Sequence, residues 1–277
     1  LPGEEVQSIA RSVARYAPGE VNPASDESDK RDHEKTQAQQ LLQIASDIEL
    51  FHTPKRRAFA TFEQNGAWHT TAISSRLMAD HLRHLFYDAE DRPPRSQSLT
   101  DAMDTLRARA LFDGSERKVD LRVAGHDDRI YVDLANDEWE AIEIDATGWR
   151  AIPLRDAPVR FRRTSAMAPL PSPQRGGSLE LLTRHVPVHD EDAFALLCSF
   201  LVQSLCPTGP YPLLELTGEQ GSGKSTTARM IRALVDPSSV PVRTRSRKER
   251  DLIIAAENGW MLVYDNLSGL PDWLSDA

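Results

Sequence analysis

Between Thr36 and Arg163 the spacing of apolar positions changes period several times, and each change marks an element. In QAQQLLQIASDIELF, Leu41, Leu42, Ile44, Ala45 and Ile48 fall on one helical stripe. The next run, AFATFEQNGAWHTTAI, alternates on both sides of Asn65-Gly66, a pair suited to a two-residue hairpin turn because both positions take positive φ. Ser74 or Ser75 can cap the following helix, on which Leu77, Met78, His81, Leu82, Leu85 and Phe86 recur at helical spacing before Pro93-Pro94 breaks it. Leu99, Ala102, Met103, Leu106, Ala110 and Leu111 mark another helix, ended by FDGSE. VDLRVAG, RIYVDLAND and EAIEIDATGW then alternate as short strands. Helices followed by a small sheet predict an α+β accessory domain, winged-helix-like, over residues 36–165.

Punctuation separates this module from the rest. Residues 1–35 are polar and acidic, carry Pro18, Gly19 and Pro23, and read as a linker or tail without a core. MAPLPSPQRGGS, Met167 to Ser178, sits in a Pro/Gly-rich linker over 166–185. Beyond it a strongly apolar helix is expected over Asp192 to Leu205, closed by Pro207, Gly209 and Pro210, inside a second domain over 186–277. The first residue is not methionine, and DWLSDA falls inside what reads as a beginning helix. A fragment is therefore expected at both ends, with the second domain truncated at its C-terminal side.

The densest chemistry lies in LELTGEQGSGKST. Gly218, Gly223, Lys224 and Ser225 stand at the spacing G-x-x-x-x-G-K-S, after an apolar strand-like run, Pro212 to Thr217, and before a helix over Thr226 to Leu234. Glycines at 218, 221 and 223, with Ser222 between the last two, let a backbone wrap around phosphates with its N–H groups pointing inward. Lys224 supplies charge near the β and γ phosphates, Ser225 a hydroxyl for Mg²⁺, and Thr226 opens a helix whose positive end faces the anion. About 40 residues on, the nearly all-apolar run Trp260 to Tyr264 ends in Asp265, which suits a second magnesium ligand at the end of a buried strand. ATP and Mg²⁺ are the implied ligands, with Lys224, Asp265 and Asn266 as the catalytic candidates. Asn266 stands where many ATPases carry a glutamate, and the hydrolytic base is left unassigned.

A net charge of −9 excludes a chain basic over its whole surface, but two clusters are locally cationic. One is VRFRR, Val159 to Arg163. The other is VRTRSRKER, whose Arg243, Arg245, Arg247, Lys248 and Arg250 form either a nucleic-acid- or subunit-contacting loop or a solvated one. Cys198 and Cys206 lie in an apolar stretch without CxxC spacing, as expected of reduced packing thiols in a cytoplasmic protein. No apolar run reaches the roughly 20 residues of a membrane span. His81 and His84 could present two metal ligands, yet no further ligand completes a set, and packing is the better reading. Asp133, Asp137 and Glu138 read as a solvated acidic loop, and Trp139 and Trp149 as buried strand residues.

YPLLELTGEQGSGKST, VDPSS and ERDLIIAAENGWMLVYDNLSGLPDWLSDA, preceded by VRFRR and LPSPQRGGSL, together resemble the primase-helicase-type ATPases of bacterial and phage mobile elements, relatives of the superfamily III and poxvirus-type enzymes. The resemblance covers roughly Tyr131 to Ala277, and YDNLS is its more specific string. It implies an α/β P-loop, AAA+-like ATPase core, a homo-hexamer in the full-length protein, and ATP-driven work on DNA, single-stranded for preference. Gly221, Ser222, Gly223, Lys224, Ser225 and Thr226 match the family's loop, and Asp265 with Asn266 its second motif. The chain ends before the sensor strand and arginine finger of a complete member, and such a finger contributes on the order of 10³ or more in rate. Two other classes share the loop: a kinase of a small molecule or polynucleotide, and a non-enzymatic DNA-binding or assembly module with a nucleotide switch.

Overall fold

The computed structural model describes residues 35–188, 190–244 and 249–265. Two units partition the chain, Leu1–Thr36 and Gln37–Ala277, and every described helix and strand belongs to the second. Of the expected tail only Lys35 is described, and Asn266 lies outside the described residues.

The first layer is built from α1 (Gln37–Ile44), α2 (Arg76–Glu90) and α3 (Ser96–Phe112). They pack on a sheet of β1 (Glu49–His52), β2 (Ala58–Gln64), β3 (Ala67–Ala72) and the short β4 (Ser115–Glu116), in the order β3-β2-β1-β4. Gln64 pairs with Ala67 across Asn65 (φ 53°) and Gly66 (φ 80°), so the predicted hairpin forms through the predicted turn. Ser75 caps α2 by accepting from the Met78 N–H. The core joins Leu41, Met78, Leu82 and Phe86 to Leu99, Ala102 and Leu106, with Ala60 and Phe62 rising from the sheet. One element departs from the periodicity. The stripe running to Ile48 predicts one helix, but α1 ends at Ile44, a 3₁₀ turn follows, and Glu49–His52 becomes β1. Pairing with β2 over Glu49↔Thr61 to His52↔Ala58 outweighs the local helical spacing.

The second sheet is an antiparallel meander of β5 (Val123–His126), β6 (Arg129–Asp133), β7 (Glu140–Asp145) and β8 (Gly148–Pro153). Alternation gives it two buried faces. Ala124, Tyr131 and Ala141 meet Leu154 and Phe161 on one, and Val123, Val132 and Ile142 meet Leu205 and Trp260 on the other. Glu143 clamps the strands: it accepts from Arg129 (2.6 Å) and the Tyr131 hydroxyl (3.0 Å), and it pairs with Arg150. The contact partners Leu205 and Trp260 belong to the segment that carries the glycine-rich loop, so this sheet is the seat of that segment.

The arginines of VRFRR are consumed in joining these parts. Arg160 binds Glu49 on β1 at 3.0 and 3.1 Å, and Arg162 donates to the Glu257 carbonyl and to Asn258. Arg163 grips Asp133 at 2.7 and 3.0 Å and lies 3.9 Å over the Trp139 ring. Asp133 is therefore not part of a solvated loop: it is fully buried, and its charge is met by Arg163 and by the Ala135 N–H. Arg122, also without exposure, donates to the Asp133 carbonyl (2.9 Å) and the Ala168 carbonyl (2.8 Å), and pairs with Asp236 at 3.1 Å. Burial pushes the Arg122 guanidinium below its ordinary pKa, and the Asp236 carboxylate opposes that shift.

His81 lies face to face with Phe62, ring centroids 3.8 Å apart, with its Nδ1 buried and unpartnered, while His84 pairs with Asp88. Among the described residues no three His, Cys, Asp or Glu side chains are grouped to hold a metal. Burial, then the neighbouring His69 and His84, depress the pKa of His81; burial, then Arg163, depress that of His69. Both rings are thus harder to protonate in the fold than in the unfolded chain, which takes up protons near 6.5. Their contribution is present above that pH and is lost below it. Thermal unfolding followed from pH 7 to pH 5 should show a falling midpoint, and His81→Leu should flatten that dependence; an equal fall in the variant rejects His81 as a source.

Candidate nucleotide site

Three helices contribute to the cavity beside the loop: α4 (Glu191–Ser204), α5 (Lys224–Val235) and α6 (Glu249–Ala256). Asp190 caps α4 by accepting from the Ala193 N–H, and Leu197 and Leu201 on its inner face pack with Ile231 and Val235 of α5. The helix after the loop starts two residues earlier than the sequence suggests, at Lys224, with Gly223 as its N-cap. Gly223 offers no side chain to the first-turn amides, so the N-terminal N–H groups of α5 point into the loop unclaimed by a side-chain cap.

Gly218, Gly221 and Gly223 take φ of 150°, 85° and 81°. A side chain at 218 would meet Ser222 Oγ at 2.9 Å, whereas 221 and 223 are sterically open and depend on glycine only through their backbone. Lys224 folds back over the loop, its Nζ donating to the carbonyls of Gly218 (2.7 Å) and Glu219 (2.6 Å) and lying 3.4 Å from Ser222 Oγ. The ammonium therefore stands where the glycine-rich backbone converges. Ser225 Oγ donates to Asp265 Oδ2 at 2.7 Å, so the two residues expected to share a metal touch across forty positions of sequence. Thr226 follows in the first turn of α5.

Asp265 is placed by a parallel bridge. The Arg243 N–H donates to the Val263 carbonyl (2.8 Å), and the Asp265 N–H to the Arg243 carbonyl (3.0 Å). Beyond this bridge the run Trp260 to Tyr264 forms no ladder, and neither does Pro212 to Thr217, whose backbone has no hydrogen-bond partner among the described residues. Apolar sequence alone does not assign a strand; a neighbouring strand must supply its bonds. Between the two runs opens a cavity of about 1220 Å³. Leu214, Leu216, Ile231 and Leu262 line it together with Lys224, Ser225 and Asp265. Asp120 is also in its lining, where burial against the opposing effect of Lys118 pushes the carboxyl up to about 6.

The basic candidates divide. Arg243 turns inward, half-buried, with its Nε unpartnered, while Arg250 is exposed on α6. Arg245, Arg247 and Lys248 lie outside the described residues.

Motif reading passed over the residues that hold the site's frame. Asp236, at the end of α5, accepts from the N–H groups of Trp260 and Met261, both at 3.0 Å. Arg232, 2% exposed, donates to the carbonyls of Val240 (2.7 Å) and Pro241 (3.0 Å), tying α5 to the segment that carries Arg243. The available signal was an Asp-Pro pair closing a helix; Arg122, in the polar phase of VDLRVAG, gave none.

Residues 179–277 match a family model described as the actinomycete integrative conjugative element replication protein. No curated protein matches the chain. The matched span takes in α4, the loop, α5, α6 and Asp265, and is thus similar to a replication protein of a mobile element; the two-sheet part precedes it. No helix among the described residues is long and apolar enough to cross a membrane.

Because Gly221 and Gly223 are constrained by backbone alone, alanine at either should cost about 1–2 kcal/mol in the left-handed region. Urea unfolding should show a correspondingly lowered midpoint in either variant. An unchanged midpoint would mean that the loop relaxes to another conformation without cost.

Proposed function

We propose that this chain is the ATP-binding and ATP-hydrolysing portion of a mobile-element replication protein, with an α/β P-loop, AAA+-like core that works on single-stranded DNA as part of a homo-hexamer. One observation carries the reading: the Ser225 hydroxyl and the Asp265 carboxylate meet at 2.7 Å beside a glycine loop closed over by Lys224. A hydroxyl and a carboxylate are hard oxygen donors, which suits Mg²⁺ and disfavours softer metals. When bound, the ion would neutralise charge building on the β and γ phosphates.

In this reading the chain's own groups divide the work. The loop amides and the free N–H groups of α5 bind phosphate oxygens, and Lys224 leaves the carbonyls of Gly218 and Glu219 to pair with them. Ser225 and Asp265 hold the metal. Arg250 is an exposed basic contact for the DNA backbone, joined by Arg245, Arg247 and Lys248, whereas Arg243 faces inward. The family match supports the replication setting and stops at that coarser level.

Lys224→Ala should abolish binding of Mg-ATP, and Asp265→Asn should abolish turnover while leaving some metal-independent nucleotide binding. The measurement is phosphate release by the 277-residue chain with and without single-stranded DNA. Turnover retained in both variants, or a phosphorylated small product in place of free phosphate, would overturn the proposal.

A further inference from the structure

The site is framed by a closed figure. One side is α5, twelve residues from Lys224 to Val235 and about 18 Å long at 1.5 Å per residue. The other is the extended run from Met261 to Asp265, roughly 13 Å at strand rise. At one end the sides are joined by Ser225 Oγ to Asp265 Oδ2 at 2.7 Å. At the other they are joined by Asp236, whose own N–H closes α5 on the Arg232 carbonyl (2.7 Å) and whose Oδ2 accepts from the N–H groups of Trp260 and Met261. With both ends pinned, the separation of Ser225 from Asp265 depends on where Asp236 is held.

What holds it belongs to the two-sheet part. Asp236 Oδ1 accepts from Arg122 Nε at 3.1 Å, and Arg122 is anchored by the carbonyls of Asp133 and Ala168. Asp133 is in turn fixed by Arg163, which rests on Trp139. The two oxygens of one carboxylate are thus divided between two tasks: Oδ1 faces the meander sheet and Oδ2 the run that carries the magnesium acid. Packing alone would not require this split.

We propose that Asp236 is a positioning residue that transmits the placement of the meander sheet, through Arg122, to the Ser225–Asp265 pair, so that the accessory part sets the magnesium affinity of the nucleotide site. This rests on the proposed nucleotide function of the loop. By reciprocity, Mg-nucleotide bound at the loop tightens the structure around Arg122. Asp236→Asn is the discriminating change. A carboxamide oxygen can accept from the Trp260 and Met261 amides only by turning its NH₂ toward Arg122, which has no acceptor to offer. Arg122→Lys keeps the charge but cannot reach Asp236, the Asp133 carbonyl and the Ala168 carbonyl together.

The experiment measures affinity for a non-hydrolysable ATP analogue with and without Mg²⁺, together with amide hydrogen exchange, on the 277-residue chain. In the wild type, Mg²⁺ should tighten binding, and the Mg-analogue complex should slow exchange both at 218–226 and remotely at 120–135. Asp236→Asn should lose roughly fivefold or more of the Mg²⁺-dependent gain, keep its Mg²⁺-free affinity, and lose the remote protection while keeping that of the loop. A merely structural role would lower both affinities and speed exchange throughout. If Asp236→Asn does not fold, Arg122→Lys decides on the same two readouts. A wild-type response that the folded variants retain in full overturns the relay alone. Absence of any nucleotide effect in the wild type overturns the nucleotide reading and the relay with it.

Discussion

Two buried guanidinium groups, Arg122 and Arg232, share the carboxylate of Asp236, and moving any of the three strands charge away from water. Pairs of this kind add little net stability over an apolar replacement of the same shape, yet losing one partner typically costs about 3–5 kcal/mol. Their effect is on geometry. Burial, with Arg243 and Arg122 nearby, lowers the Arg232 pKa while Asp236 opposes it, so one anion serves a cationic neighbourhood. The backbone carbonyls around it complete the compensation, five of them on the two arginines at 3.2 Å or closer. The end of α5, the start of the Asp265 run and the meander sheet are thereby brought to one point.

At the opposite end of α5 the constraints are looser. The loop is exposed and is held largely by Lys224 bonding to its own carbonyls. An internal ammonium-to-carbonyl contact is satisfied but replaceable, since a phosphate oxygen is the stronger partner for the same cation. A firm hub at one end of the helix thus stands opposite an exchangeable lysine at the other.

The parts legible in the sequence were those whose physics is local. Asn65-Gly66 specified its hairpin, Ser75 its cap, and the glycine spacing a loop that does place Lys224, Ser225 and Asp265 together. What escaped was set by distant partners. β1 looked helical because Ile48 continues the apolar stripe, and only pairing with β2 makes it a strand. Asp133 looked solvated because Arg163 stands thirty positions away in sequence. VRFRR looked like a locally cationic cluster because Glu49 and Asp133 cannot be assigned to Arg160 and Arg163 without coordinates. Asp236 stands in VDPSS, a string that marks a helix end and names no role, and its importance lies in which atoms surround it.

The family match begins at Leu179, but the charge pairing does not respect that position. Cut there, the C-terminal piece would keep Asp236 and lose Arg122, and the N-terminal piece would keep a buried arginine with its carbonyl partners but without its carboxylate. The span of sequence similarity is thus shorter than the span that can exist alone as a neutralised interior. Transplanting the loop-bearing segment onto another partner would succeed only where that partner supplies a cation at the same point.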